Sequence, residues 1–140
     1  MLVSLFYVSR AVGPQTTMVT SSILTTARRN NPVHGITGVL FQGQGLYLQV
    51  LEGERSAVNR LYAQILADKR QTDAEILIMD EVARRRFEKW SMAHVILSDR
   101  DPMMLMKHPE FDPYSASARG AALMLDDFVA SGVRVDIPVV

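Results

Sequence analysis

The chain has 140 residues, 48% of them hydrophobic and 21% charged, and its 15 basic and 15 acidic residues cancel to a formal net charge of zero. That size and balance fit one soluble domain around one core, and they disfavour nucleic acid as a partner, because nonspecific binding to it draws on a net basic surface. The absence of cysteine excludes disulfides, thiol catalysis, iron–sulfur clusters and cysteine-ligated zinc, and the apolar stretch from Met1 to Val8 is too short for a signal peptide or a membrane span, so a cytoplasmic location is expected.

In chain order, residues 2–9 alternate, with Val3, Leu5 and Tyr7 on one face and Leu2, Phe6 and Val8 on the other, the pattern of a strand buried on both sides. Gly13-Pro14 ends it. Thr16 or Thr17 is positioned to cap a helix carrying Val19, Ile23, Leu24 and Ala27 on one stripe, and Asn30-Asn31-Pro32 stops that helix, since asparagine tolerates the left-handed conformation common at helix ends. Residues 36–41 and 46–51 are β-rich and flank Gln42-Gly43-Gln44-Gly45, a hairpin whose glycines are expected to supply positive φ. Ser56 is expected to cap a second helix with Val58, Leu61, Tyr62, Ile65 and Leu66 on its stripe, ending near Asp68-Lys69-Arg70. Residues 75–82 and 91–97 read as two further strands.

The order βαββαββ, with right-handed crossovers, predicts both helices on one face of the sheet and the first and third strands adjacent, parallel and central. Tyr7 and Gln49 then become neighbours. Past Asp99, Met103 to Lys107 and a helix over about residues 115–130, with Ala118, Ala122, Leu125 and Val129 at helical spacing, are expected to cover the opposite face. The expected fold class is α+β: a ferredoxin-like βαββαββ sheet with two helices on one face and C-terminal helices on the other. Residues 1–97 form the domain proper, and 98–140 form a helical extension packed on the sheet.

Enzyme constellations are nearly absent. His34, His94 and His108 lack metal-ligand spacing, and there is no glycine-framed nucleophilic serine, P-loop or dinucleotide fingerprint. Asp80-Glu81 and Asp126-Asp127 are sequence neighbours whose side chains diverge, so they read as surface charges. The outstanding residue is Gln49, inside Leu46-Tyr47-Leu48-Gln49-Val50-Leu51, where an unpaired buried amide would cost about 1–3 kcal/mol. Satisfaction by backbone or water and a ligand-binding role are both open on that residue alone. With Tyr7 one strand away, a phenol and a carboxamide can form a directional hydrogen-bond chain to something bound between the helices. Trp90 and Met92, two apart on the last strand, are expected to share one face and read as core.

Taken together, Tyr7, Asn30-Asn31-Pro32-x-x-Gly35-Ile36-Thr37-Gly38, Leu48-Gln49-Val50-Leu51-Glu52-Gly53 and Arg85-Arg86-Phe87-x-x-Trp90-Ser91-Met92 resemble the BLUF family of flavin-binding blue-light sensors over about residues 2–97. The resemblance implies a blue-light photoreceptor, not an enzyme, that binds FAD non-covalently with its ring between the two N-terminal helices. It implies that Asn31 pairs with the carbonyl and imide edge of the ring, with Asn30 nearby and Ile23 and Ile65 as apolar walls. Gln49 would bridge Tyr7 and the flavin. Gln64 stands where some relatives carry a basic residue and Gln71 where some carry histidine, which departs from the pattern. Asp68 and Arg70 fit it, and Arg70 is a candidate for the pyrophosphate.

In this family light drives electron and proton transfer from the tyrosine, here Tyr7, and the glutamine, here Gln49, is left re-paired, which shifts flavin absorption to the red. Trp90 and Met92 are the candidates to carry the change onward, and Met92 is also a candidate flavin contact. The implied partner is a separate effector protein, response-regulator-like or a cyclic-di-nucleotide enzyme, with no nucleic acid, no membrane, and self-association into a homo-oligomer. Three rival readings use the same fold. An RNA-binding module has only Arg84-Arg85-Arg86 in its favour, a small hydrolase of the acylphosphatase type has only Arg10, and a flavin-free regulatory module would have no reason to retain Tyr7, Asn31 and Gln49 together.

Overall fold

The computed structural model describes residues 1–97, 112–131 and 133–134. Its elements are β1 (Leu2–Ala11), α1 (Thr17–Asn30), β2 (Thr37–Gly43), β3 (Leu46–Glu54), α2 (Arg55–Leu66), β4 (Gln71–Glu81), β5 (Ala93–Ile96), a 3-10 turn (Pro113–Ser115), α3 (Ala118–Ser131) and β6 (Val133–Arg134). They form one mixed sheet in the order β4-β1-β3-β2-β5-β6. This is the α+β, ferredoxin-like arrangement read from the sequence.

The two-residue period of β1 divides the core. Val3, Leu5 and Tyr7 join a cluster with Leu24 of α1 and Val58 of α2, while Phe6 and Val8 join a second cluster with Ala121, Met124 and Phe128 of α3. The first two helices therefore cover one face and α3 covers the other. The ring of Phe128 lies 5.5 Å from that of Phe41 on β2. The buried stripe of α3 is 121, 124 and 128, with Leu125 half-buried, whereas Ala118, Ala122 and Val129 of the expected stripe are exposed. The rotation follows from where Phe128, the bulkiest residue of the helix, finds its place against Phe41.

The first and third strands are adjacent and central but antiparallel, not parallel, with Leu2 opposite Glu54 and Tyr7 opposite Gln49. Each crossover returns the chain parallel to the strand it left, so β1 and β2 run the same way. The intervening hairpin then reverses β3, which inserts between them. In that hairpin the left-handed residues are Gln44 (φ 54°) and Gly45 (φ 75°) rather than both glycines. Gly43 stays in β2, where a Cβ would lie 2.8 Å from the Leu97 carbonyl oxygen.

Thr16 caps α1 as expected, accepting from the Val19 N–H at 3.2 Å. Ser56 does not cap α2. That helix begins at Arg55 behind Glu54, whose carboxylate instead receives the N-terminal ammonium at 2.6 Å. β4 begins at Gln71, earlier than expected, because its pairing with β1 continues to Ala11. β5 starts only at Ala93: the carbonyls of Ser91 and Met92 are taken by side chains of Asn31 (2.8 Å) and Arg28 (3.0 Å) instead of a strand ladder. The C-terminal region is not purely helical, since β6 pairs antiparallel with β5. Met103 to Lys107 and His108 lie outside the described residues.

Candidate functional site

Between α1 and α2, above the sheet, lies a cleft of about 480 Å³, a size typical of small-molecule sites. Tyr7, Leu40, Tyr47 and Gln49 form its floor, Ile23, Ala27, Asn30 and Asn31 one wall, and Leu61, Gln64 and Ile65 the other, with Asp68, Arg70 and Gln71 at one end. Nine of the eleven residues singled out from the sequence thus meet in one place. Trp90 and Met92 are the two that do not line it.

The floor is organised by the antiparallel pairing of β1 and β3. Directly opposed residues share a face, so the register that sets Tyr7 against Gln49 brings their side chains together. The Tyr7 hydroxyl donates to Gln49 Oε1, and Gln49 Nε2 donates to Met92 Sδ at 3.2 Å. Both groups are buried, at 3% and 5% exposure. Burial raises the Tyr7 phenol well above its ordinary range, and the neighbouring Tyr62 and Asp68 raise it further. The phenol therefore keeps its proton at neutral pH and donates it to the Gln49 carbonyl, while the amide nitrogen faces Met92. The Tyr62 ring braces Tyr7 edge-on, 5.3 Å between centroids.

Asn31 is buried, and its Nδ2 donates to the Ser91 carbonyl at 2.8 Å, tying the end of α1 to the segment before β5. It keeps right-handed helical angles; the left-handed residue of this turn is Gly35, at φ 66°. Asn30 is exposed on the cleft rim. Asp68 and Arg70 form an ion pair, and Arg70 Nη1 also donates to Ser22 Oγ at 3.0 Å, bridging the far end of the cleft from α2 to α1. Hydrogen bonds from Arg70 hold the Asp68 carboxyl below its usual range.

Trp90 and Met92 do not share a face, and neither lies within β5. Trp90 stacks on Phe87 at 5.6 Å and packs against the α3-side cluster, whereas Met92 belongs to the cluster beneath α1 and α2. Strand alternation cannot be applied to them, because the Ser91 and Met92 backbone is held by side chains. Two polar residues lining the cleft, Tyr47 and Gln71, carry buried oxygens without a partner, Tyr47 Oη and Gln71 Oε1. Tyr47 was legible in principle: two residues from Gln49, it must share its face.

Arg10, Arg85 and Arg86, which spoke for other activities, have structural partners. Arg10 pairs with Asp73 and lies over the Tyr114 ring. Arg85 donates to Thr37 and to the Glu52 carbonyl, and Arg86 pairs with Asp126 at 2.9 Å. His34 is exposed and His94 buried, and among the described residues no group of His, Asp or Glu could hold a metal ion. No helix among them is long and apolar enough to cross a membrane.

A ferredoxin-like sheet with an apolar cleft set over a buried tyrosine–glutamine pair has the form of a small-ligand domain. Comparison with known proteins identifies which kind. Residues 2–93 match the family described as BLUF, Sensors of blue-light using FAD, and the chain belongs to that family. It is 32% identical over 133 residues to the photoactivated adenylate cyclase subunit beta-like protein FB of Euglena gracilis, covering 94% of this chain and 15% of that protein. The structure of BlsA in its ground state superimposes with a TM-score of 0.86 at 26% identity, covering 100% of this chain and 95% of that one. That of BlrB, a BLUF protein in its dark state, gives 0.75 at 29% identity over 92% and 95%. The chain is thus a blue-light sensor of the BLUF family, and it spans about 15% of the length of the cyclase relative.

Proposed function

We propose that this protein holds FAD non-covalently in the cleft between α1 and α2 and reports blue light through a change in the pairing of Gln49. The observation that carries the reading is the buried chain from the Tyr7 hydroxyl through Gln49 to Met92 on the cleft floor. Tyr47 Oη and Gln71 Oε1 add to it, since buried oxygens without partners call for a polar ligand in the space they border. Bound FAD supplies the absorption of blue light and an electron acceptor.

The remaining work falls to the protein. Ile23 and Ile65 provide apolar walls, and Asn31, already positioned by Ser91, offers a carboxamide whose donor and acceptor sit side by side for an imide edge. Asn30 and Gln64 serve the exposed rim, and Arg70, oriented by Asp68, suits a phosphate at the far end. Tyr7 holds a proton at Oη, hydrogen-bonded to Gln49 Oε1. Gln49 is the switch, because a carboxamide that exchanges its two ends trades acceptor for donor toward Tyr7 and withdraws its N–H from Met92 Sδ. A hydrogen-bond change of this kind is worth only about 0.5–1.5 kcal/mol net, so the response depends on packing, through Met92 to β5 and through Trp90 to the α3 side.

The output is an effector of cyclic-nucleotide chemistry, supported by the adenylate cyclase relative. A separate effector protein is supported by BlsA and BlrB, whose chains are matched over 95% of their extent. The test is Gln49→Leu, which is expected to retain FAD and lose the light-induced red shift. A variant that still shifts overturns the assignment of the switch.

A further inference from the structure

Among the described residues Glu52 is the one acidic residue of the buried core, at 2% exposure, and the switch as described does not use it. It lies on β3 three residues beyond Gln49, on the opposite face. Its Oε1 accepts from the Phe87 N–H at 2.9 Å and from Thr37 Oγ1 at 3.0 Å, and its Oε2 accepts from the Arg86 N–H at 2.7 Å. Bonds of this kind to a carboxylate are among the stronger ones in proteins.

The segment from Arg86 to Met92 therefore runs between two points on the same strand. At its start, on the α3 side, the Glu52 carboxylate holds two consecutive backbone N–H groups. At its end, on the cleft side, Met92 Sδ accepts from Gln49. Between them the segment passes beside β2, where the Gly38 N–H donates to the Trp90 carbonyl at 3.0 Å. A Cβ on Gly38 would fall 1.9 Å from the Val50 carbonyl oxygen of β3, so β2 admits only glycine at this position.

We infer that Glu52 is a positioning residue for the light response: by fixing Arg86 and Phe87, it makes the start of the segment a pivot, so that release of Met92 by Gln49 moves only the stretch from Trp90 into β5. This rests on the photoreceptor reading proposed above. The pivot also bears on α3, because Arg86 is ion-paired to Asp126. With both N–H groups held, α3 keeps a fixed reference against which β5 shifts. Without them, the segment yields along its whole length.

The experiment combines amide hydrogen exchange of the FAD-loaded full chain, in the dark and under blue light, with the dark-recovery time of the red-shifted state. In the parent protein, Arg86 and Phe87 are expected to be equally protected in dark and light, while exchange changes from Trp90 into β5. Loss of protection at Arg86 and Phe87 on illumination overturns the inference. Glu52→Gln leaves one carbonyl oxygen to serve two N–H donors, and is expected to speed their dark exchange by about tenfold or more and to change the recovery time, with FAD content and dark absorption retained. A folded, yellow Glu52→Gln that recovers at the parent rate reduces Glu52 to a structural role and also overturns it. Should that variant fail to fold, the parent exchange experiment decides alone. A parent protein that shows no red shift brings down the photoreceptor reading and this inference with it, while dark exchange in Glu52→Gln still separates that failure from a failure of the anchor.

Discussion

Tyr7→Phe removes a single oxygen from the cleft floor and leaves the ring, with its 5.3 Å edge contact to Tyr62, in place. Gln49 Oε1 then loses the donor it has in the parent. Because the amide is buried, the expected cost is that of an unsatisfied polar group, about 1–3 kcal/mol. Gln49→Leu has the mirrored effect, stranding the Tyr7 hydroxyl at similar cost, while also releasing Met92 Sδ. In the double variant neither partner is stranded and an apolar pair fills the space, so the two costs are not expected to add. The shortfall, a coupling of about 1–3 kcal/mol, is read from urea unfolding of the four proteins in flavin-free form, which keeps ligand binding out of the measurement. Additivity to within about 0.5 kcal/mol would show that Tyr7 and Gln49 do not act as a pair, and the argument from their burial and geometry would fail.

His94 is buried on β5 with Nε2 against Gln42 Oε1, and burial, aided by Arg28, lowers its pKa to about 4. Its folded pKa is thus below its unfolded value, so its contribution to stability is complete above about pH 6.5 and is lost as the pH falls toward 4, with a slope of up to about 1.4 kcal/mol per pH unit. Unfolding measured across that range should show the loss, and His94→Gln should flatten it; an unchanged slope in the variant contradicts the assignment. The raised pKa of Tyr7 has the opposite sense: its contribution is complete below the ordinary tyrosine value near 10 and is lost above it. Tyr7→Phe should therefore lose less stability than the parent above about pH 10, and an equal loss refutes the shift. Gly38→Ala is expected to abolish soluble expression or cost more than about 4 kcal/mol, because the added carbon meets backbone at 1.9 Å; a variant of parental stability in thermal unfolding contradicts this close approach of β2 and β3.

The helices and strands were legible where one period ran without interruption, as in β1 and in α1 with its Thr16 cap. The direction of β3 was not. Adjacency of β1 and β3 follows from the crossovers, but direction requires following the chain through the hairpin at Gln44 and Gly45. The cleft residues were legible chiefly because the spaced motifs resemble a known family: periodicity alone supplied Tyr7 and Gln49 as neighbours, and nothing in it singled out Asn31. Trp90 and Met92 belong to the core as expected, but not to one face, because the backbone from Trp90 to Met92 is fixed by Arg28, Asn31 and Gly38, contacts more than fifty residues away in sequence. Glu52 was visible only as part of a motif, since its partners are backbone N–H groups that no side-chain pattern reports.

The most direct test is the visible absorption of the purified protein in the dark and after blue illumination, with chromatography of the chromophore released on denaturation. A flavin spectrum, FAD as the released compound, and a red shift that reverses in the dark are expected. A colourless protein that cannot be reconstituted with FAD, or a flavoprotein whose spectrum does not respond to light, would contradict the photoreceptor reading.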